Sequence, residues 1–245
     1  MVKISKWLYR AAAWFLAAWI SAGLPIYLDS SATVTAHSGC MENADNSVEA
    51  MEAGVEAGAR IVEFDLHFTK DGDPVLSHDT PDDAKTYVTL AEAFQFLRAH
   101  KQILANIDVK NTAYIETVPV LAKHFAVADR IFFTGLEEKD ISAAKEKCPG
   151  IPYYLNASVN EDTDVQTLAD RALALGAVGI NVYYNNASRR LVRVCHKSGL
   201  LVSVWTVNEL QPMIEMALMG VDNITTRRPD LTIRVIRTSQ LSDLS

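Results

Sequence analysis

Cysteine is scarce: Cys40, Cys148 and Cys195 are the only three in 245 residues. They are too few and too scattered for a disulfide scaffold, and the absence of any C-x-x-C pair excludes the usual zinc ligand spacing. Basic surplus is missing as well, since 23 Lys and Arg stand against 30 Asp and Glu, a net charge of −7. Setting aside residues 1–30, which hold only Lys3, Lys6, Arg10 and Asp29, the body carries 20 basic against 29 acidic residues, or −9. A nucleic-acid binder needs a basic footprint, and this acidic body argues against one. With 11 Gly and 8 Pro the chain has no collagen-like or low-complexity stretch. Half of it (49%) is hydrophobic and 22% is charged, the balance of a globular protein with a sizeable core rather than a disordered one.

One long uncharged run exists. Ala11–Leu28 follows the basic residues Lys3, Lys6 and Arg10 and is 18 residues long, just enough to cross a bilayer, with Trp14 and Trp19 as interface anchors. An uncleaved anchor is the first reading. A cleaved signal is the second, because Ser21-Ala22-Gly23 supplies small residues near a processing point, and a core helix is the third. Either export reading places the body outside the cytoplasm, membrane-anchored or secreted. The chain therefore divides into residues 1–30, an anchor or signal segment, and residues 31–245, one domain.

From Thr33 onward, β-rich runs alternate with helical patterns. The expected strands are Thr33–His37, Ile61–Phe68, Ile103–Val109, Ile131–Thr134, Pro152–Asn156, Gly179–Tyr183, Leu201–Val207 and Asn223–Thr226. Asn46–Ala57, Leu90–His100, Thr163–Leu175, Ser188–Lys197 and Glu209–Met219 read as helices, several closed by a glycine (Gly58, Gly176, Gly199, Gly220). Eight alternations in about 210 residues predict an α/β fold of the (β/α)₈ TIM-barrel type.

Chemistry in such a barrel sits at the C-terminal ends of the strands. Polar residues gather there in the first three: His37, then Glu63, Asp65 and His67, then Asn106, Asp108 and Lys110. Residues two apart share a strand face, so Glu63 projects with Asp65 and Asp108 with Lys110. Three converging carboxylates, Glu63, Asp65 and Asp108, form a hard oxygen site suited to Mg²⁺ or Ca²⁺. His37 and His78 offer a general acid and a general base near neutral pH, and Lys110 suits a phosphate oxygen. His67 shares the inward parity at the rim, and its role stays open. The cysteines read as structural and His196 as a surface residue.

In these residues the chain resembles the glycerophosphodiester phosphodiesterase family. The similarity runs through Ala36-His37-Ser38-Gly39, Asp45-Asn46-Ser47, Glu63-Phe64-Asp65, Thr69-Lys70-Asp71-Gly72 and Ser77-His78-Asp79. It continues in Asn106-Ile107-Asp108-Val109-Lys110, Val204-Trp205-Thr206-Val207-Asn208 and Gly220-Val221-Asp222 with Arg228-Pro229-Asp230, covering residues 33–235. The resemblance implies acid–base work by His37 and His78, a divalent metal on Glu63, Asp65 and Asp108, phosphate binding by Lys110, and a pocket lined by Trp205. It implies metal-dependent hydrolysis of glycerophosphodiesters to an alcohol and glycerol 3-phosphate, in lipid metabolism. The chain departs from the family in having Ser38 where an arginine is usual, Asp45 where a glutamate is usual, and Thr226-Arg227 where Thr-Asp is common. Only about ten residues lie between Asp79 and the helix beginning near Thr89, where relatives carry a long insertion. The open site this implies also admits phospholipase D-like cleavage of lysophospholipids, and Ser38 admits a catalytically impaired, membrane-anchored binding module.

Overall fold

A computed structural model describes residues 10–11, 13–15, 17–18 and 30–237. Eight parallel strands carry the body: β1 (Thr33–Ala36), β2 (Ile61–Phe68), β4 (Leu104–Val109), β5 (Ile131–Thr134), β6 (Tyr154–Asn156), β7 (Gly179–Tyr183), β8 (Leu201–Trp205) and β9 (Asn223–Thr226). The order β5-β4-β2-β1-β9-β8-β7-β6 is continuous, and a parallel bridge from Phe133 to Tyr153 joins its two ends. The eight strands thereby form a nearly closed barrel. Helices α1 (Val48–Glu56), α2 (Leu90–Ala99), α3 (Thr117–Phe125), α4 (Glu138–Lys147), α5 (Val165–Leu175), α6 (Arg189–Lys197), α7 (Leu210–Met219) and α8 (Pro229–Arg237) alternate with them. The predicted TIM barrel is the observed fold.

Local chemistry sets the element ends. Ser47, Thr89, Asp164 and Ser188 cap α1, α2, α5 and α6 by accepting backbone N–H bonds, and Thr89 with Glu92 completes a reciprocal capping box. Gly176 and Gly220 close α5 and α7 in the left-handed conformation. Pro119 and Pro212 sit within the first turns of α3 and α7, where a missing N–H costs nothing.

Strand parity splits the barrel walls chemically. Val62, Phe64, Leu66, Ile107, Phe133, Ile180, Val182, Val202, Val204 and Ile224 point to the helices, and this layer is the hydrophobic core. The alternate residues are buried polar groups: Thr35, Glu63, Asp65, Asn106, Thr134, Asn181, Ser203, Asn223 and Thr225. Many of them bond across strands, as in Thr35 Oγ1 to Asn223 Oδ1 at 2.8 Å and Thr134 Oγ1 to Asn106 Oδ1 at 2.8 Å, while the buried Asn181 Oδ1 lacks a partner among the described residues. The lumen is thus a polar hydrogen-bonded well inside an apolar sleeve.

Two differences from the sequence expectation concern the site. β1 ends at Ala36, so His37 belongs to the loop above it. A ninth strand, β3 (Pro74–Leu76), pairs antiparallel with β2, matching Leu66 with Leu76 and Phe68 with Pro74, and this hairpin carries the chain back to the mouth at His78. Most of the Ala11–Leu28 segment lies outside the described residues. Its described positions are helical, and Ala13 and Ala17 are buried against Ile214, Ala217 and Val235 of α7 and α8. Among the described residues no helix is long and apolar enough to cross a membrane.

Candidate active site

β2 and β4 build the centre. Their register sets Glu63 beside Asn106 and Asp65 beside Asp108. Oxygens of Glu63, Asp65 and Asp108 all lie within 4.8 Å of one another. Lys110, just beyond β4, donates to Asp65 Oδ1 at 2.8 Å and to Asp108 Oδ2 at 2.6 Å. Burial works against its charge, but the two carboxylates outweigh burial and hold the ammonium well above its ordinary pKa. Glu63 has no such partner; its Oε2 accepts from the Ser38 backbone N–H at 2.8 Å. Burial, followed by repulsion from Asp65 and Asp108, pushes its carboxyl well above the normal range.

With all three carboxylates ionised, as metal ligands must be, the single ammonium leaves two negative charges in a buried cluster, and the upward push on Glu63 expresses that repulsion. Isolated buried charge costs several kcal/mol per ion, so these residues fit a hard divalent cation with oxygen ligands. Glu63, Asp65 and Asp108 are the residues that would hold it.

His37, Glu63, His78, Asp108, Lys110 and Trp205 line one cavity of about 240 Å³, together with Asn106, Thr134, Asn156, Asn181, Thr206 and Thr225. Asp65 lies beneath Lys110 at its base. His37 is pushed below its ordinary value of 6.5, first by burial and then by the Arg227 guanidinium, against the opposing pull of Asp65, Asp45 and Asp108. His78 is exposed, its ring nitrogen Nδ1 2.9 Å from Asp79 Oδ1. That contact holds the Asp79 carboxyl below its ordinary range. The segment from Asp79 to Thr89 is short and open, pinned at its flank by an ion pair between Lys70 and Asp83 and by the Asp82 N–H donating to Tyr87 Oη. His67 is turned out of the cavity, bonded to the Phe68 N–H and to Asn111 Nδ2.

Sequence parity missed the residues that hold the carboxylates. Asn46 donates through Nδ2 to Asp65 Oδ2 at 2.9 Å and accepts the Asp65 backbone N–H on Oδ1 at 2.9 Å, gripping both ends of the residue. It does so from a left-handed backbone at φ 61°, which asparagine tolerates better than most residues. Thr134 Oγ1 donates to Asp108 Oδ1 at 3.1 Å. Gly135, at φ 79°, lies so close that a Cβ there would sit 2.5 Å from the same oxygen.

The departures at Ser38, Asp45 and Arg227 also take a definite shape. Ser38 is buried and spends its N–H on Glu63. Arg227 ion-pairs with Asp45 at 2.7 Å and donates to the Gly39 carbonyl at 3.2 Å, joining the loops after β9 and β1. A Cβ on Gly39 would fall 1.8 Å from Asp45 Oδ1 and 2.5 Å from Arg227 Nη1, so only glycine fits under this pair. All three cysteines are free and buried, as expected of structural residues.

The sequence profile of the glycerophosphoryl diester phosphodiesterase family matches residues 36–99 and 84–231. A curated glycerophosphodiester phosphodiesterase of Caldanaerobacter subterraneus subsp. tengcongensis is 24% identical over 83% of this chain and 97% of its own length. A lysophospholipase D of Rattus norvegicus is 26% identical over 65% of this chain but only 46% of its own. Among solved structures, a glycerophosphodiester phosphodiesterase from Parabacteroides distasonis superposes with TM-score 0.75 at 22% identity, covering 86% of this chain and 99% of that one. A phosphodiesterase from Oleispira antarctica, solved with its product sn-glycerol-3-phosphate, gives 0.74 at 19% identity over 83% and 96%. The chain belongs to the glycerophosphoryl diester phosphodiesterase family and is an enzyme of the phosphoric diester hydrolase class.

Proposed function

We propose that the chain hydrolyses small, water-borne glycerophosphodiesters to glycerol 3-phosphate and an alcohol, with a divalent metal, Mg²⁺ or Ca²⁺, on Glu63, Asp65 and Asp108, as a step of lipid metabolism. The observation that carries this reading is the two-charge deficit of the carboxylate cluster beside two histidines in one cavity. A divalent cation bound there supplies Lewis acidity to a non-bridging phosphoryl oxygen. Lys110 presents its ammonium to a second phosphoryl oxygen while holding Asp65 and Asp108 in place.

The two histidines differ in surroundings, and that difference supports the following division of roles. His37, kept neutral by burial and Arg227, accepts the proton of the attacking hydroxyl. His78, whose Nδ1 is anchored on Asp79, carries a proton at Nε2 and gives it to the departing alkoxide as the phosphorus–oxygen bond breaks. Trp205, 39% exposed at the end of β8 and packed beside Tyr183 at 5.8 Å between ring centroids, offers an aromatic wall for the substrate's organic part.

The test is a release assay over glycerophosphodiesters and lysophospholipids across pH, with the phosphate product identified as open or cyclic. Turnover of the glycerophosphodiesters is expected to exceed that of the lysophospholipids. Because His37 is depressed in the folded protein, its neutral form persists to lower pH, so the acid limb of kcat/KM falls below 6.5. Activity confined to lysophospholipids, or an acid limb above that value, rejects these assignments.

The same proposal places the enzyme at a membrane through residues 1–30, with the barrel outside the cytoplasm, on the strength of the basic flank and the uncharged run Ala11–Leu28. The full-length protein is expected to resist carbonate extraction from membranes and to retain Met1 or Val2 at its N-terminus. A mature terminus between about Gly23 and His37 marks a cleaved signal instead.

A further inference from the structure

The outer flank of the barrel, away from the mouth, holds a second depression of about 470 Å³ between α6 and the C-terminal end of α7. Arg189, Arg193, His196 and Lys197 surround it, with Met219 and Gly220, and no carboxylate lines it. That is a concentration of one sign on a chain whose net charge is −7. Arg193 and Lys197 are four residues apart, so they stand on one helical face, and neither makes an ion pair among the described residues. His196 is held by Asp222 at 2.8 Å. Val192 lines the depression between these cations, while Leu191 and Cys195 are buried on the inner face of α6, which fixes the cationic face outward.

Leu218 of α7 links this depression to the N-terminal segment. The Leu218 carbonyl of α7 accepts from Arg189 at 3.3 Å, and the Leu218 side chain packs on the cluster that buries Ala13 and Ala17. From that cluster Trp14 and Phe15 project outward, 65% and 64% exposed. One flank therefore presents cations able to meet phosphates beside aromatic rings able to enter the acyl boundary, the two-part chemistry of a bilayer interface.

We propose that the α6–α7 depression is a docking site for the phosphate headgroups of an anionic phospholipid membrane. It lies toward the strand N-terminal end, where α7 terminates, whereas the mouth is at the strand C-terminal end. Docked by this flank, the enzyme keeps its catalytic cavity open to water, independently of which diester it cleaves.

Amide hydrogen exchange of the full chain, reconstituted in phosphatidylcholine vesicles with or without phosphatidylglycerol, reads this directly. With phosphatidylglycerol, exchange over residues 189–197 and 218–221 slows several-fold. High salt reverses the effect, because the attraction is screened within a Debye length of about 8–10 Å near physiological ionic strength. Arg193→Glu with Lys197→Glu abolishes the protection while turnover of a soluble diester, which also verifies folding, stays at wild type. The milder Arg193→Gln with Lys197→Gln serves if the reversal unfolds the chain, and it weakens the protection. Equal exchange in both vesicle types overturns the site. Protection by inorganic phosphate alone, with none from phosphatidylglycerol, overturns the membrane as its occupant.

Discussion

Chelation is expected to abolish turnover. Removing the divalent cation with EDTA lowers kcat/KM on a glycerophosphodiester at least about 10³-fold, the rate equivalent of several kcal/mol of charge stabilisation. Mg²⁺ or Ca²⁺ restores it. The physical reason is the imbalance at the barrel mouth: Lys110 neutralises one charge of the Asp65–Asp108 pair, and Glu63 is buried with one backbone N–H for company. Asp65→Asn is expected to match the chelated rate even at saturating metal, because Asp65 is held on both sides, by Lys110 and by the Asn46 amide. Calorimetric titration with the metal alone checks the same point without activity, and an unchanged affinity in Asp65→Asn rejects the ligand assignment. Full turnover after exhaustive chelation rejects the metal mechanism.

Replacing either histidine gives the second large effect. His37→Ala and His78→Ala are each expected to lower kcat by roughly 10²–10⁴-fold, the range of general acid–base catalysis, with metal affinity changed far less. Their pH profiles separate the roles. His37→Ala removes the acid limb, since the base that must be deprotonated is gone. For His78→Ala, a substrate with an acidic leaving alcohol recovers much of the loss, because such an alkoxide departs without protonation. Wild-type turnover in either variant returns that histidine to a structural role. If the good leaving group rescues His37→Ala and not His78→Ala, the assignments are reversed.

These effects rest on residues legible before any coordinates, and the reason is geometric. Glu63 and Asp65, like Asp108 and Lys110, are two apart on strands, and strand parity alone fixes that each pair shares a face. Their apolar neighbours at alternate positions, Val62, Phe64 and Leu66 in β2, form the core face in the structure. His37 and His78 could be placed at the mouth because a barrel collects its chemistry where the strands end. Enzyme class followed from the family resemblance that these motifs carry. The impaired-module alternative drew its support from Ser38 alone, and that residue turns out to hold Glu63 through its backbone.

What the sequence determined by itself was therefore local: the eight strand–helix alternations, the caps, the parity of each strand and the residue types at its C-terminal end. Tertiary structure alone decided the pairings between distant parts of the chain. Strand register sets Asp65 beside Asp108 and drops Lys110 between them. Barrel closure brings Arg227 to Asp45 and to the Gly39 carbonyl, supplying a cation near His37 that no adjacent residue provides. The β1–α1 loop must turn left-handed at Asn46 before its amide can reach Asp65. The β3 hairpin, three residues long, is too short for alternation to announce, yet it leads into His78. Periodicity encodes which way a side chain points from its own backbone, whereas the partner it meets depends on the register and closure of the whole sheet.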